Sequence, residues 1–293
     1  LAGDMVEQAT RWAYAREHGR SPEDPRLLRS DWLPWLRKKS WYSTDKQPAD
    51  NYPAAIENLL QPRQARKDFF RKLLQPGINI SPGYERLAEF LHQNLIKTVL
   101  TPNFDSILPD VRVLIRRPHH IEVIQTPSDY TKFSTSPQYP QAVYLHGSVD
   151  HYTDQNIIDE VQALDPTLVY MITPLLRDHP LIVVGYRGAE PSVMKHLLLD
   201  SAANAHGYRH GIFWCKMRGD KADDLPIFVH DLAREIGTNF TLVDIDGFDE
   251  LFARDLWQLH QDADLKPIDV NKATSLSAPT LDMAIAPATK GPD

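Results

Sequence analysis

Short apolar runs that end in polar turns mark three stretches of this chain as buried strands. The runs are 98–100, 143–145 and 181–184, and each is followed at once by a breaker and polar residues. Runs of this length bounded by turn residues are typical of strands buried on both faces. Ligands of open parallel sheets bind beyond the carboxyl ends of the strands. We therefore expect the polar residues after these runs to lie at one edge of a sheet.

Apolar residues recur at helical spacing before and between these strands. In residues 4–18 they fall three and four positions apart on one face, which predicts an amphipathic helix. Residues 4–97 contain no convincing strand pattern, so a helical layer is expected before the sheet. From Asn103 onward strands and helices alternate, and this order predicts a parallel sheet with helices on its faces. Residues 266–293 are rich in Pro, Ala, Ser and Thr without periodicity and are predicted to be a linker or disordered tail.

Composition excludes several functional classes. A net charge of −7 does not favour a nucleic-acid surface, and the basic clusters at 37–39 and 63–72 are interpreted as solvated helix faces. The single cysteine, Cys215, excludes a disulfide framework and a four-cysteine zinc site. It lies in an apolar strand, where we expect a buried, inert thiol in a reducing, cytoplasmic compartment. No apolar run is long enough to predict a membrane span.

Tryptophans are concentrated in one early segment. Residues 27–42 contain Trp32, Trp35 and Trp41. Such aromatic side chains fill a core or line a ligand groove. Core packing is the favoured interpretation.

Three polar turns carry the candidate chemistry. Asn103 and Asp105 offer an amide and a carboxylate after Pro102, which suits binding of a hydroxyl or an amide; the alternative is a turn cap on the following segment. His146 can accept a proton near neutral pH; the alternative is a hydrogen-bonded core histidine. Both gain weight because each follows a predicted strand. Gly185, Tyr186 and Glu190 lie between a strand and a helix start, where backbone N–H groups suit a phosphate or ribose.

Other catalytic patterns are absent from the sequence. It contains no Gly-x-Gly-x-x-Gly, no phosphate-loop signature and no Gly-x-Ser-x-Gly. The twelve histidines include no His-Glu-x-x-His, so no catalytic metal is expected.

At these residues the chain resembles the sirtuin-like superfamily, specifically the sirtuin-like NAD hydrolase domains of bacterial anti-phage defence proteins. Four segments between about residues 84 and 259 carry the resemblance, in the family's order. Residues 100–105 resemble its "TTNFD" segment, 145–148 its "LHG" segment, 175–193 its "LL…LLFVGYS..D" segment, and 242–251 its closing strand and "FDEL" helix.

The resemblance implies a fold and a set of roles. The fold class is α/β, a Rossmann-like parallel sheet with helices on both faces plus an N-terminal helical layer. Residues 1–83 would be the helical part and 84–265 the NAD-binding and catalytic core. Asn103 would position the nicotinamide ribose and a water, and His146 would be the base. Asp105 would face the carboxamide, while Thr101 and the turn of Gly185, Tyr186 and Glu190 would line the NAD pocket.

The chain also departs from the family pattern. Its leading "GAG.S" pyrophosphate loop is absent. Either sequence is missing at the front, or the loop is lost, which would favour a module that does not hydrolyse NAD. Pro102 replaces the usual Thr or Gln, and residues 187–190 replace a more typical "S-G-x-D". The zinc-ribbon cysteines of protein deacylases are missing, which disfavours lysine deacylation.

The predicted function is NAD+ hydrolysis to nicotinamide and ADP-ribose, or cyclic ADP-ribose, in anti-phage defence by NAD depletion. The resemblance implies NAD as substrate, no metal, and a homo-oligomer activated through a fused C-terminal sensor or partner protein. Neither membrane nor direct nucleic-acid binding is expected. The alternative is a non-catalytic module that binds NAD or ADP-ribose or serves as a scaffold; a lysine deacylase is a weaker alternative.

Overall fold

A computed structural model describes residues 2–45, 51–73, 80–103, 108, 121–147, 164–205 and 207–265. The sequence also predicts a short strand at 111–115 and a loop or helix at 154–164. The first of these segments, residues 154–163 of the second, Asp105 and the predicted tail at 266–293 lie outside the described residues. Among the helices described, none has the length and apolar character needed to cross a membrane.

The first four described helices share an apolar core. They are α1 (Ala2–Glu17), α2 (Arg29–Arg37), α3 (Tyr52–Leu59) and α4 (Arg63–Leu73). Val6, Ala9 and Ala13 of α1 are buried there together with Ile56 of α3 and Phe69 of α4.

The tryptophans of the early segment pack as core residues. Trp32 is 4% exposed, and Trp35 and Trp41 pack against the core of the first four helices. The prediction that these rings fill a core is confirmed.

Helix α5 (Pro82–His92) is tied to the end of the described chain by Asp249. The Asp249 carboxylate accepts hydrogen bonds from the Ser81 hydroxyl and from the Gly83 backbone N–H. These bonds satisfy a donor at the helix N-terminus and place a negative charge where the helix dipole favours it. A Cβ on Gly83 would lie 2.9 Å from the Asp249 Cα, so the close approach requires glycine.

Six described strands form two parallel sheets. They are β1 (Thr98–Thr101), β2 (Glu122–Ile124), β3 (Gln141–Tyr144), β4 (Leu181–Val183), β5 (Ile212–Met217) and β6 (Phe240–Ile245). The strand orders are β1-β3-β2 and β4-β5-β6, and every pairing is parallel. The parallel arrangement predicted from the sequence is confirmed, but the described hydrogen bonds divide it into two three-stranded sheets rather than one.

The two sheets are joined by side-chain packing on both of their faces. Val143 of β3 and Trp214 of β5 are buried in one cluster together with Ile172. Tyr144 of β3 and Cys215 of β5 are buried in a second cluster. This cluster also contains Phe90 of α5 and Phe252 of the helix that follows the last strand. Because successive strand residues point to opposite faces, these alternations show helices packed on each face.

Further helices alternate with the strands after β3. They are α6 (Pro166–Asp178), α7 (Pro191–Val193), a π-helix (Met194–Leu199), α8 (Asp200–Ala205), α9 (Ile227–Ile236), a second π-helix (Glu250–Leu256) and α10 (Trp257–Leu265). The polar segment 126–140 has the composition of a loop. It contains a 3₁₀ helix, Pro127–Lys132, which is stabilised by a capping box between Thr126 and Asp129. The apolar spacing of the sequence predicts helices at 166–176, 191–203 and 226–236. The structure confirms them, with ends shifted by one or two residues.

Candidate functional site

The carboxyl ends of β1 and β3 lie side by side. Thr101 is paired with Tyr144 in the parallel register, and the Leu145 N–H donates to the Thr101 carbonyl at 2.9 Å. The chain leaves β3 directly after this bond, and Leu145 and His146 form a turn. The loops that carry Asn103 and His146 therefore start from adjacent strand ends, as the sequence predicts.

The His146 ring lies between the two sheets' strand ends. Its side chain is 5% exposed, and its Nε2 atom is 3.8 Å from Oε2 of Glu190. This distance is too long for a hydrogen bond but within the range of an ion pair. Glu190 follows β4, so the contact joins a loop of the first sheet to a loop of the second. His146 and Glu190, both predicted as site residues, are brought together directly.

Asn103 occupies a different environment from His146. It is exposed, and its backbone N–H donates to the Thr101 hydroxyl at 3.1 Å. A hydroxyl that accepts from the amide two residues ahead closes a small turn. The Thr101 hydroxyl thus closes the turn after β1. The turn-cap alternative for Asn103 and Asp105 concerns the segment that follows, and residues 104–107 lie outside the described residues. The roles predicted for Asn103, Thr101 and Asp105 stay predictions.

The β4 loop, defined as residues 185–192, is shaped by two glycines with left-handed backbone. Gly185 has φ +69° and Gly188 has φ +78°. A Cβ on Gly188 would lie 2.5 Å from Cγ2 of Val229 and 2.8 Å from Cζ2 of Trp214. Gly188 therefore serves both a backbone conformation and a close approach of the loop to the core.

Tyr186 supplies the aromatic ring of the β4 loop. Its ring packs at 6.1 Å from that of Trp214. Burial raises the pKa of the Tyr186 phenol, and the Glu190 carboxylate raises it further. The nearby backbone N–H of Glu190 acts in the opposite direction and lowers the pKa of the phenol. It does not form a well-aligned hydrogen bond with the phenol oxygen, and neither does any other described group.

Glu190 and Ser192 place two further oxygen atoms in the interior. The Glu190 side chain is 43% exposed as a whole, yet its Oε2 atom is buried without a hydrogen-bond partner among the described residues. Ser192 is 0% exposed, and its Oγ atom is likewise without a partner in the described chain. Sequence reasoning does not single out Ser192; the signal present is a hydroxyl directly after Pro191 at a helix start.

Cys215 lies outside this site. Its thiol is buried in the strand β5, and burial raises its pKa to about 11. A thiol with such a pKa is protonated at neutral pH and is a poor nucleophile. The predicted buried thiol is confirmed.

In the described residues, no group of three or more His, Cys, Asp or Glu side chains is arranged to hold a metal ion. The site therefore combines an imidazole, a carboxylate and two hydroxyls at the carboxyl ends of parallel strands. Such a set can bind a polar ligand and accept a proton from it.

Neither a protein-family model nor a curated protein sequence matches the chain.

Proposed function

We propose that this chain is an NAD+ hydrolase that releases nicotinamide and ADP-ribose, and that it acts in anti-phage defence by depleting NAD. The observation that carries the proposal is the 3.8 Å approach of the buried His146 ring to the partly exposed Glu190 carboxylate, in the loops that follow β3 and β4. Dinucleotides bind at this edge in open parallel α/β sheets. The proposal includes a Rossmann-like core, an N-terminal helical layer, a cytoplasmic location and activation by oligomerisation.

The reaction requires little covalent participation by the protein. The bond between the ribose carbon and the nicotinamide nitrogen breaks, and its electron pair neutralises the pyridinium. A water oxygen forms the new bond to the ribose carbon and loses one proton, which His146 accepts. Asn103 positions the ribose and the water, and Glu190 Oε2 lies 3.8 Å from Nε2 of His146.

The test is nicotinamide release from NAD+ by the purified full chain, measured chromatographically over a range of protein concentrations. We expect His146→Ala to lower the rate by about 100-fold or more, the usual contribution of a positioned base. The matched control is His196→Ala: the His196 ring also lies near a carboxylate, 3.9 Å from Asp200, but on an exposed helix face. A rate unchanged in His146→Ala, or equal losses in both variants, would refute the proposal.

A non-catalytic module that binds ADP-ribose is the second candidate. The partly exposed Glu190 carboxylate beside the His146 ring favours it, since a carboxylate can accept hydrogen bonds from ribose hydroxyls without any reaction. Binding of ADP-ribose without nicotinamide release at any protein concentration would favour this candidate over the hydrolase.

A further inference from the structure

One face of the sheet β4-β5-β6 exposes two large apolar side chains side by side. Ile182 and Phe213 are partners in the register of β4 and β5, so they lie on the same face. Ile182 is 49% exposed and Phe213 is 38% exposed. Cys215, two residues further along β5 on this face, is buried in the cluster that contains α5. The described helices therefore cover the carboxyl half of this face and leave the apolar pair, Ile182 and Phe213, in contact with solvent.

Exposure of the apolar pair is unusual for a parallel sheet. Parallel strands are as a rule covered by other elements on both faces. The same two strands bury their opposite face, where Val183 is 9% exposed and Trp214 is 1% exposed. The exposed parts of two side chains amount to roughly 200 Å² at most, whereas each partner of a stable dimer buries about 800 Å². The size of the patch therefore fits a short segment of chain better than a second copy.

Helix α10 runs towards the edge of the sheet at which the apolar pair lies. The Tyr84 ring is 4.7 Å from the Phe248 ring, and the Phe90 ring is 5.9 Å from the His260 ring. Helix α5 and the helical residues 250–265 therefore run side by side in the same direction. Because β1 begins six residues after the end of α5, this direction leads to the amino ends of the strands.

The end of α10 lies on the same face and at the same edge as the apolar pair. The carboxyl ends of β3 and β4 meet where His146 approaches Glu190, so the amino ends of both sheets lie at the opposite edge. Helix α10 continues for five residues beyond His260, or about 7.5 Å at the helical rise, and ends at Leu265. The chain that follows therefore starts at the amino edge.

The residues directly after α10 have the pattern of a covering segment. Pro267 disfavours continuation of the helix, and Ile268 and Val270 alternate with Asp269. In an extended chain this alternation places both apolar side chains on one side. Residues 266–270 can span roughly 16 Å, about three times the spacing of neighbouring strands. We propose that Ile268 and Val270 dock on the apolar pair and complete the cover of this face.

Thiol labelling of the full chain tests this docking. Ile182→Cys places a reporter within the apolar pair, and Leu259→Cys, at a position that is 64% exposed on α10, gives the rate of an open thiol. We expect iodoacetamide to label Ile182→Cys about 10-fold more slowly than Leu259→Cys, the protection given by a contact that is formed about nine-tenths of the time. Replacing Ile268 and Val270 together by serine should remove this difference without adding a charge near the thiol.

The chain offers matched controls. Ile285→Ser replaces an apolar residue further along the same tail and should leave the labelling slow. Cys215 is buried, so its resistance to labelling, located by peptide mass spectrometry, verifies that each variant is folded. Thr241 is exposed and is the partner of Phe213 in β6. Thr241→Cys is therefore a second reporter on the same face, for use if Ile182→Cys unfolds the chain.

Each outcome bears on the docking. Protection that is lost with the Ile268 and Val270 double substitution and kept with Ile285→Ser supports it. Labelling of both reporters as fast as Leu259→Cys would show that the face is open and would overturn it. Protection that survives the double substitution would assign the cover to another occupant, and its loss on dilution would identify that occupant as a second copy of the chain.

Discussion

Gly188 offers a quantitative test of how the β4 loop is held against the core. In Gly188→Ala the new Cβ meets Cγ2 of Val229 at 2.5 Å and Cζ2 of Trp214 at 2.8 Å. Both neighbours are 1% exposed, so neither can move into solvent. The backbone φ of +78° adds strain for any residue with a Cβ.

The magnitude follows from these two contributions. The left-handed backbone costs about 1–2 kcal/mol, and overpacking a buried site costs about 1–3 kcal/mol. We therefore expect Gly188→Ala to lower the free energy of unfolding by about 2–5 kcal/mol. Gly185→Ala separates the contributions, because Gly185 has a similar φ of +69° and a Cβ added there would meet no atom within 4 Å. It should cost only about 1–2 kcal/mol.

Chemical denaturation of both variants measures these changes. A double-mutant cycle with Val229→Ala, which removes the contacting methyl group, should show that part of the Gly188→Ala penalty is relieved. Equal destabilisation by Gly185→Ala and Gly188→Ala, or additivity in the cycle, would contradict the packing argument.

Three further predictions concern residues away from the loop. Gln141 is fully buried and makes hydrogen bonds with Thr98 and with the backbone N–H and carbonyl of Ser134. Gln141→Leu should therefore lower the free energy of unfolding, measured by urea denaturation, by about 3 kcal/mol. The exposed control Gln93→Leu should lower it by less than about 0.5 kcal/mol. Burial tends to raise the pKa of Asp129, but hydrogen bonds from Lys132, Thr126 and two backbone amides outweigh it and lower that pKa to about 2. The folded-state pKa is depressed, so Asp129 contributes about 2 kcal/mol above pH 4 that is lost as pH falls through 2; Asp129→Asn should flatten this acid limb, and an unchanged limb would refute the assignment. Burial raises the pKa of Cys215 to about 11, so iodoacetamide at pH 8 should alkylate the folded chain about 100-fold more slowly than the urea-unfolded chain, and comparable rates would show that the thiol is accessible.

The elements that the sequence predicts well are those with strong periodicity and clear boundaries. Helix α6 begins at Pro166, where Asp165 accepts from the Thr167 N–H, and its apolar face is visible in the sequence. The strands β4 and β5 are short apolar runs bounded by turns. Parallel pairing follows from the alternation of strands and helices, which leaves few other topologies.

The parts that the sequence does not predict depend on packing between distant segments. The 3.8 Å contact of His146 with Glu190 requires the ends of strands from two different sheets to meet. A pattern of apolar runs likewise does not predict that the strands hydrogen-bond as two three-stranded sheets rather than one. Gln141 appears polar in the sequence, yet it is fully buried because Thr98 and Ser134 satisfy its amide. Burial of a polar residue depends on partners that no local pattern contains.

The hydrogen bonds of Asp249 have a consequence for synthesis on the ribosome. Ser81 and Gly83 emerge long before Asp249, so the start of α5 lacks its side-chain acceptor until almost the entire described chain has been made. Within the part of the chain that the structure describes, the apolar cluster of the first four helices contains no residue beyond α4. Nascent chains halted before residue 249 should therefore protect the early helices from protease while α5 is still cleaved.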